Sequence, residues 1–192
     1  MKEIRQQKKQ PEVIRKRILE QATILVSQKG ISGVSIQNIA TAVGITKGGV
    51  FHHFPNKKNL IEEMFNQIIL DLDQTVEYLI KRDPTEYGKF TRAYIHSSFI
   101  HQIDGVVSAW SALSMTMITE PTFNKIWMEW LKNRLSQHAE TDSHPDLELL
   151  RLAADGLWLQ SITGVIDDEQ CSKLEDDLLN RCLLYTSDAA DE

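Results

Sequence analysis

The chain has two cysteines in 192 residues, Cys171 and Cys182. On one helix, at about 1.5 Å per residue, they would stand roughly 16 Å apart, beyond disulfide reach. They read as small apolar residues on a buried face. The six histidines make no zinc pattern with them, so no metal and no cofactor is expected. No run approaches the ~20 apolar residues of a membrane helix, and the polar amino end lacks the apolar core of a secretory signal. The expectation is a cytoplasmic protein with no membrane partner. No stretch alternates apolar and polar residues with period two, so essentially no strand is expected. The sequence also lacks G-x-S-x-G, a P-loop, H-E-x-x-H and G-x-G-x-x-G. Asp155 near Trp158 is a lone carboxylate candidate. No catalytic residue is assigned, and the chain is not read as an enzyme.

What is there is unevenly spread charge. Residues 1–58 carry 11 Lys/Arg against 3 Asp/Glu, a net of +8 within a total of −6, which leaves −14 for residues 59–192. A basic end on an acidic body points to a polyanion partner, either nucleic acid or an acidic membrane surface.

Helical periodicity fills the chain. Residues 1–11 read as a basic disordered arm ending at Pro11. From Glu12 to Lys29 the apolar Ile14, Ile18, Ala22 and Leu25 share one face, closed by Gly30. Ser35 is placed to cap a short helix with Ile36, Ile39, Ala40 and Val43 inward, ended by Gly44. Thr46 caps another that runs through Phe54, before Pro55-Asn56 breaks the chain. A long helix follows from about Lys57 to Lys81. Asp83-Pro84 reads as cap and first-turn proline of a helix over 85–103, Asp104-Gly105 as a turn, and 106–119 as a buried helix. Pro121 opens another helix to about 139. Residues 140–145 read as a loop, and two last helices span 146–165 and 168–184. Residues 185–192 read as an artefactual tail and stay outside the fold reasoning. The fold class is all-α, with about nine helices: a three-helix domain over 12–56 and a helical bundle over 57–184.

Ser35 to Lys58 reads SIQNIATAVGITKGGVFHHFPNKK. Two short helices joined at Val43-Gly44-Ile45 form a helix-turn-helix layout. Its second helix would enter the major groove amino end first, with Thr46, Lys47, Gly48 and Gly49 leading and Val50 set against a thymine methyl. Each glycine costs about 1 kcal/mol of helix stability relative to alanine, a cost that close backbone approach to DNA would explain. His52 and His53 have no third metal ligand in register, so contact with phosphate is the stronger reading. Lys57 and Lys58 read as phosphate contacts or as a solvated pair.

Ile39-Ala40, Val43 to Gly48, Phe51-His52-His53-Phe54, Lys57 and Leu60 resemble the DNA-binding signature of the tetracycline-repressor (TetR) family. The resemblance implies DNA contacts at Ser35, Thr46, Lys47, His53 and Lys57, with Phe54 as core anchor. Phe51 departs from the usual Tyr and loses its hydroxyl contact to phosphate. Double-stranded operator DNA is then the expected partner. A palindromic operator demands a two-fold protein, here a homodimer through the last two helices, with Ala153, Ala154, Gly156 and Gly164 permitting close approach. The aromatic-rich remainder, with Phe99, Trp110, Met115, Trp127 and Trp158, suits a mostly apolar pocket for a small apolar inducer. The expected function is a transcription regulator, a repressor released by that ligand. The alternative is a similar regulator governed by a protein partner without a small molecule.

Overall fold

A computed structural model describes the backbone of residues 2–99, 102–103, 106–107, 113 and 116–188, and the side chains of 11–99, 113, 116 and 118–184. The amino end is rich in Lys, Arg and Gln, all good helix formers. Helix α1 accordingly spans Lys2–Lys29 and passes through Pro11. The disordered arm expected over 1–11 is therefore corrected: Pro11 forgoes one backbone bond, and its flanks continue the helix.

Gly30 ends α1 with φ +67° and its N–H bonded to the Val26 carbonyl. Helix α2 covers Ile36–Val43, and the Ser35 hydroxyl accepts the Asn38 N–H at 3.1 Å. Its inward residues Ile36, Ile39, Ala40 and Val43 are all buried. Gly44 closes it at φ 78°, a conformation that favours glycine. Helix α3 covers Lys47–His53, and α4 covers Lys57–Arg82.

Beyond α4 the order is α5 (Lys89–Ser98), strands β1 (Gln102–Ile103) and β2 (Val106–Val107), then α6 (Thr116–Thr119) and α7 (Pro121–Gln137). Then come α8 (Ala139–Asp142), α9 (Pro145–Ile162) and α10 (Asp168–Asp188). Among the described residues the fold is all-α apart from one antiparallel pair, Gln102 opposite Val107 and Ile103 opposite Val106. That pair replaces the expected end of one helix and start of the next. Asp-Gly between apolar residues is a hairpin signal, and it outweighs helical period here.

Two compact units result: residues 1–70 with 112–127, and residues 71–111 with 128–192. The first buries Ile18, Ala22 and Val26 of α1, Ile39 and Val43 of α2, Val50 and Phe54, and Leu60, Met64 and Phe65 of α4. Phe123 stacks on Phe65 at 4.3 Å between ring centroids. In the second unit Ile95 and Phe99 pack with Leu147, Leu150, Ala154, Leu157, Cys171 and Cys182, and Trp158 lies against this cluster. Ala154 is thus core and not a site of close helix approach. Leu174, three residues after Cys171 on α10, is 43% exposed.

Helix α5 starts later than expected, and its cap comes from far away. Asp83 Oδ1 does accept the Thr85 N–H at 2.9 Å, but the helix begins at Lys89 after Gly88. The Asp142 carboxylate, at the end of α8, takes the N–H groups of Phe90 at 3.3 Å and Thr91 at 2.7 Å, and the Thr91 hydroxyl at 2.7 Å. Arg151 Nη1 then donates to the same hydroxyl oxygen at 2.6 Å. A carboxylate at a helix N-terminus is favourable, and here it is almost wholly buried.

Candidate nucleic-acid interface

Helix α3 has seven residues, and one of them, Val50, is buried. Four residues apart, Val50 and Phe54 fall on one face and anchor it; both have no exposed surface. This overturns Val50 as a contact to a thymine methyl, since its side chain closes the core of the first unit. The Val50–Phe54 spacing was the signal for this in the sequence.

The opposite face is open. Thr46 caps α3, its Oγ1 accepting the Gly49 N–H at 3.0 Å. Lys47 is exposed, its ammonium 5.8 Å from the centroid of the exposed Phe51 ring. Phe51, without a hydroxyl, thus supplies a ring face to a neighbouring cation.

Neither glycine of α3 is demanded by the protein itself. Neither takes a positive φ. A Cβ on Gly48 would meet only Thr46 Oγ1, at 3.8 Å, and one on Gly49 would make ordinary contacts of 3.5 Å or more. Two residues that weaken the helix by about 1 kcal/mol each are therefore kept without an internal packing reason. They expose backbone at the tip of the helix.

His52 and His53 close α3, their rings 5.3 Å apart and edge-on. His52 is exposed and His53 half-buried. Burial, then the charges of His52 and Arg15, lowers the His53 pKa below 6.5. Among the described residues no group of three His, Cys, Asp or Glu side chains is placed to hold a metal.

Lys57 opens α4, and its ammonium donates to the Ile31 carbonyl in the α1–α2 loop at 2.7 Å. One of its three donors is thus used to hold that loop. Asn56 caps the helix by accepting the Asn59 N–H at 2.8 Å. Two cations that the sequence reading did not single out also brace this unit. Arg17 donates to the Val43 carbonyl at the end of α2, at 3.1 Å. Arg15 lies over the Phe54 ring at 4.8 Å and bonds Glu63 of α4 at 2.9 Å.

Two family profiles match this chain in order: "Bacterial regulatory proteins, tetR family" over 18–64, and "Tetracyclin repressor-like, C-terminal domain" over 88–182. The chain belongs to the TetR family. TetR-family proteins are transcriptional regulators, typically repressors, that bind operator DNA and are usually dimers. This TetR-family chain is 27% identical to the HTH-type transcriptional regulator BetI 1 of Chromohalobacter salexigens, over 77% of its own length and 78% of the relative's. Its fold is similar to that of a putative transcriptional regulator from Pseudomonas aeruginosa PAO1, with a TM-score of 0.67, 17% identity, and coverage of 89% of this chain and 90% of that one. It is also similar to the multidrug binding protein EbrR complexed with imidazole, with a TM-score of 0.61, 21% identity, and coverage of 85% and 93%.

The residues expected to line an inducer pocket divide. Phe99 and Trp158 meet at the apolar cluster of the second unit, whereas Trp127 belongs to the first. Trp110 and Met115 lie outside the described residues. No described helix is long and apolar enough to cross a membrane.

Proposed function

We propose that this TetR-family regulator is a homodimeric repressor that reads a palindromic operator with α3 and leaves it when a small apolar ligand binds in the second unit. The observation that carries the reading is the tip of α3: an exposed cap, an exposed lysine and two glycines with no packing role. Backbone approach to a phosphate-lined groove gives those glycines a use. In this reading Thr46, Lys47, Gly48 and Gly49 meet the groove, Ser35, His52 and His53 flank it, and Lys57 offers its remaining donors to phosphate. A phosphate beside His53 would offset the burial and positive charge that depress its pKa.

A two-fold partner is supported by α9. Its core side carries Leu147, Leu150, Ala154 and Leu157, and its far side carries Leu149, Leu152 and Leu159, exposed by 62%, 59% and 42%. Between these last lie exposed Ala153 and Gly156, and a Cβ on Gly156 would meet nothing within 4 Å. A second apolar stripe opposite the core suits burial against a symmetry mate. Two copies would set their α3 helices about one DNA turn apart, near 34 Å.

For the ligand, Trp158 and Phe99 supply the apolar wall, and the description of EbrR as a multidrug binding protein is consistent with such a site. A ligand must bind one shape of the dimer better than the other to change DNA affinity. The test is selection of a duplex from a random pool by the 22.0 kDa chain, with sedimentation alone and with that duplex. An inverted repeat bound by a dimer is the expected result; a monomer that selects no sequence overturns the proposal. Tryptophan fluorescence titrated with small hydrophobic compounds should respond; a flat response across them favours control by a protein partner.

A further inference from the structure

A domain that binds a polyanion has reason to avoid carboxylates near its reading helix, yet Glu63 of α4 sits in the same unit as α3. Its carboxylate accepts from Arg15 Nη2 at 2.9 Å, and the Arg15 guanidinium lies 4.8 Å from the centroid of the Phe54 ring. Phe54 is the C-terminal cap residue of α3; its N–H bonds the Val50 carbonyl, and its side chain is fully buried. One guanidinium on α1 therefore lies over the ring at the end of the reading helix and donates to α4 through Nη2. Planar guanidinium is suited to this double use, since it stacks on a ring while donating in its own plane.

We propose that Arg15 and Glu63 are positioning residues for DNA reading: they fix the carboxyl end of α3 against α1 and α4, and so set the angle at which its amino end meets the groove. The inference rests on the reading of α3 as the DNA-contacting helix. Both side chains are more than a third exposed, 40% and 38%, and exposed ion pairs add little to stability. What the pair supplies is direction. Its removal should leave the fold intact and degrade selectivity.

Glu63 makes the sign of the effect diagnostic. If it acted only through its charge, Glu63→Gln would remove repulsion and tighten binding to every DNA. As a positioning residue its loss weakens binding to the selected duplex and leaves a scrambled duplex bound as well or better. The experiment uses the full chain, a duplex that the wild type selects from a random pool and a scrambled duplex of equal length, with dissociation constants measured across a salt series. Glu63→Gln and Arg15→Gln should each weaken the selected duplex by about tenfold, the scale of one misread base pair. The salt slope for Arg15→Gln should stay that of the wild type. The charge-swapped double variant, Arg15→Glu with Glu63→Arg, should recover affinity relative to either reversal alone, because the pair is rebuilt at unchanged net charge. Tighter or unchanged binding of the selected duplex by Glu63→Gln overturns the inference. So does a fall of about one unit in the slope for Arg15→Gln, which marks a direct phosphate contact. Wild type that selects no duplex would instead sink the DNA reading itself.

Discussion

In the first unit Lys47 and Lys58 stand exposed at or beside the tip of the helix-turn-helix, whereas the second unit turns three arginines, Arg92, Arg134 and Arg151, inward. Arg92 is 8% exposed, and binds Asp83 at 2.6 Å and the carbonyls of Tyr87 and Thr85. Arg134 binds Asp73 and Glu77, and Asp73 also takes the Trp130 indole N–H at 2.6 Å. Arg151 is spent on the Thr91 hydroxyl and the Asp142 carbonyl. Cations left in water are available to an outside anion; buried cations tied to part-buried carboxylates and to carbonyls hold a bundle together. The first unit has both kinds, since Arg15 and Arg17 brace it while Lys47 and Lys58 stay in water; burial and partners, not residue type, divide them.

That contrast can be broken at several points. The largest effect is expected at Asp142, which caps α5 from inside the second unit. Asp142→Ala leaves two helix N–H groups and the Thr91 hydroxyl without their acceptor, and should cost roughly 3–5 kcal/mol of stability. Urea unfolding measures this; a loss below about 1 kcal/mol would mean that water replaces the carboxylate. Next is Gly48→Leu in the first unit. The open space around Gly48 predicts unchanged or higher thermal stability, by up to about 1 kcal/mol, with selective DNA binding lost in a gel-shift assay. Retained binding would show that the backbone at Gly48 does not approach the duplex.

A smaller effect is expected at Lys57. Lys57→Ala should weaken all DNA sequences alike and flatten the salt slope by about one unit. An unchanged slope would reduce Lys57 to a brace on the Ile31 carbonyl. The smallest concerns His96 of α5, whose Nδ1 lies 2.8 Å from Glu175 Oε1 of α10. The Glu175 hydrogen bond raises the His96 pKa above 6.5 against the opposing effect of burial, and the charges of Glu175 and Asp176 add to the rise. A folded-state pKa above the unfolded one gives stability that is complete below about pH 6.5 and fades as pH rises through the folded value. Half-exposed His96 makes this a modest slope. Melting temperature against pH should show it in the wild type and lose it in Glu175→Gln.

Much of the reading head was legible because its signals are local. Ser35, Gly44 and Thr46 act within three or four residues of themselves, and the buried stripe of α2 repeats with the helical period. Val50 was misplaced because a seven-residue helix has barely two turns, and its spacing from Phe54 is the one periodic mark of the buried side. Arg15 was passed over because its partners, Phe54 and Glu63, are distant in sequence. The strand pair of 102–103 with 106–107 was hidden because its apolar residues continue the helical pattern of their surroundings.

The sequence by itself determined the helical class, the capped turn at its centre and the charge asymmetry, since each follows from neighbours a few residues apart. Only the tertiary structure decided which polar groups are spent internally. Asp142 reaches α5 across some fifty residues, Arg134 reaches α4, and Arg15 joins three elements. A side chain's partners depend on which helices pack together, and that selection is made by burial of the whole apolar surface, not by any local run of residues.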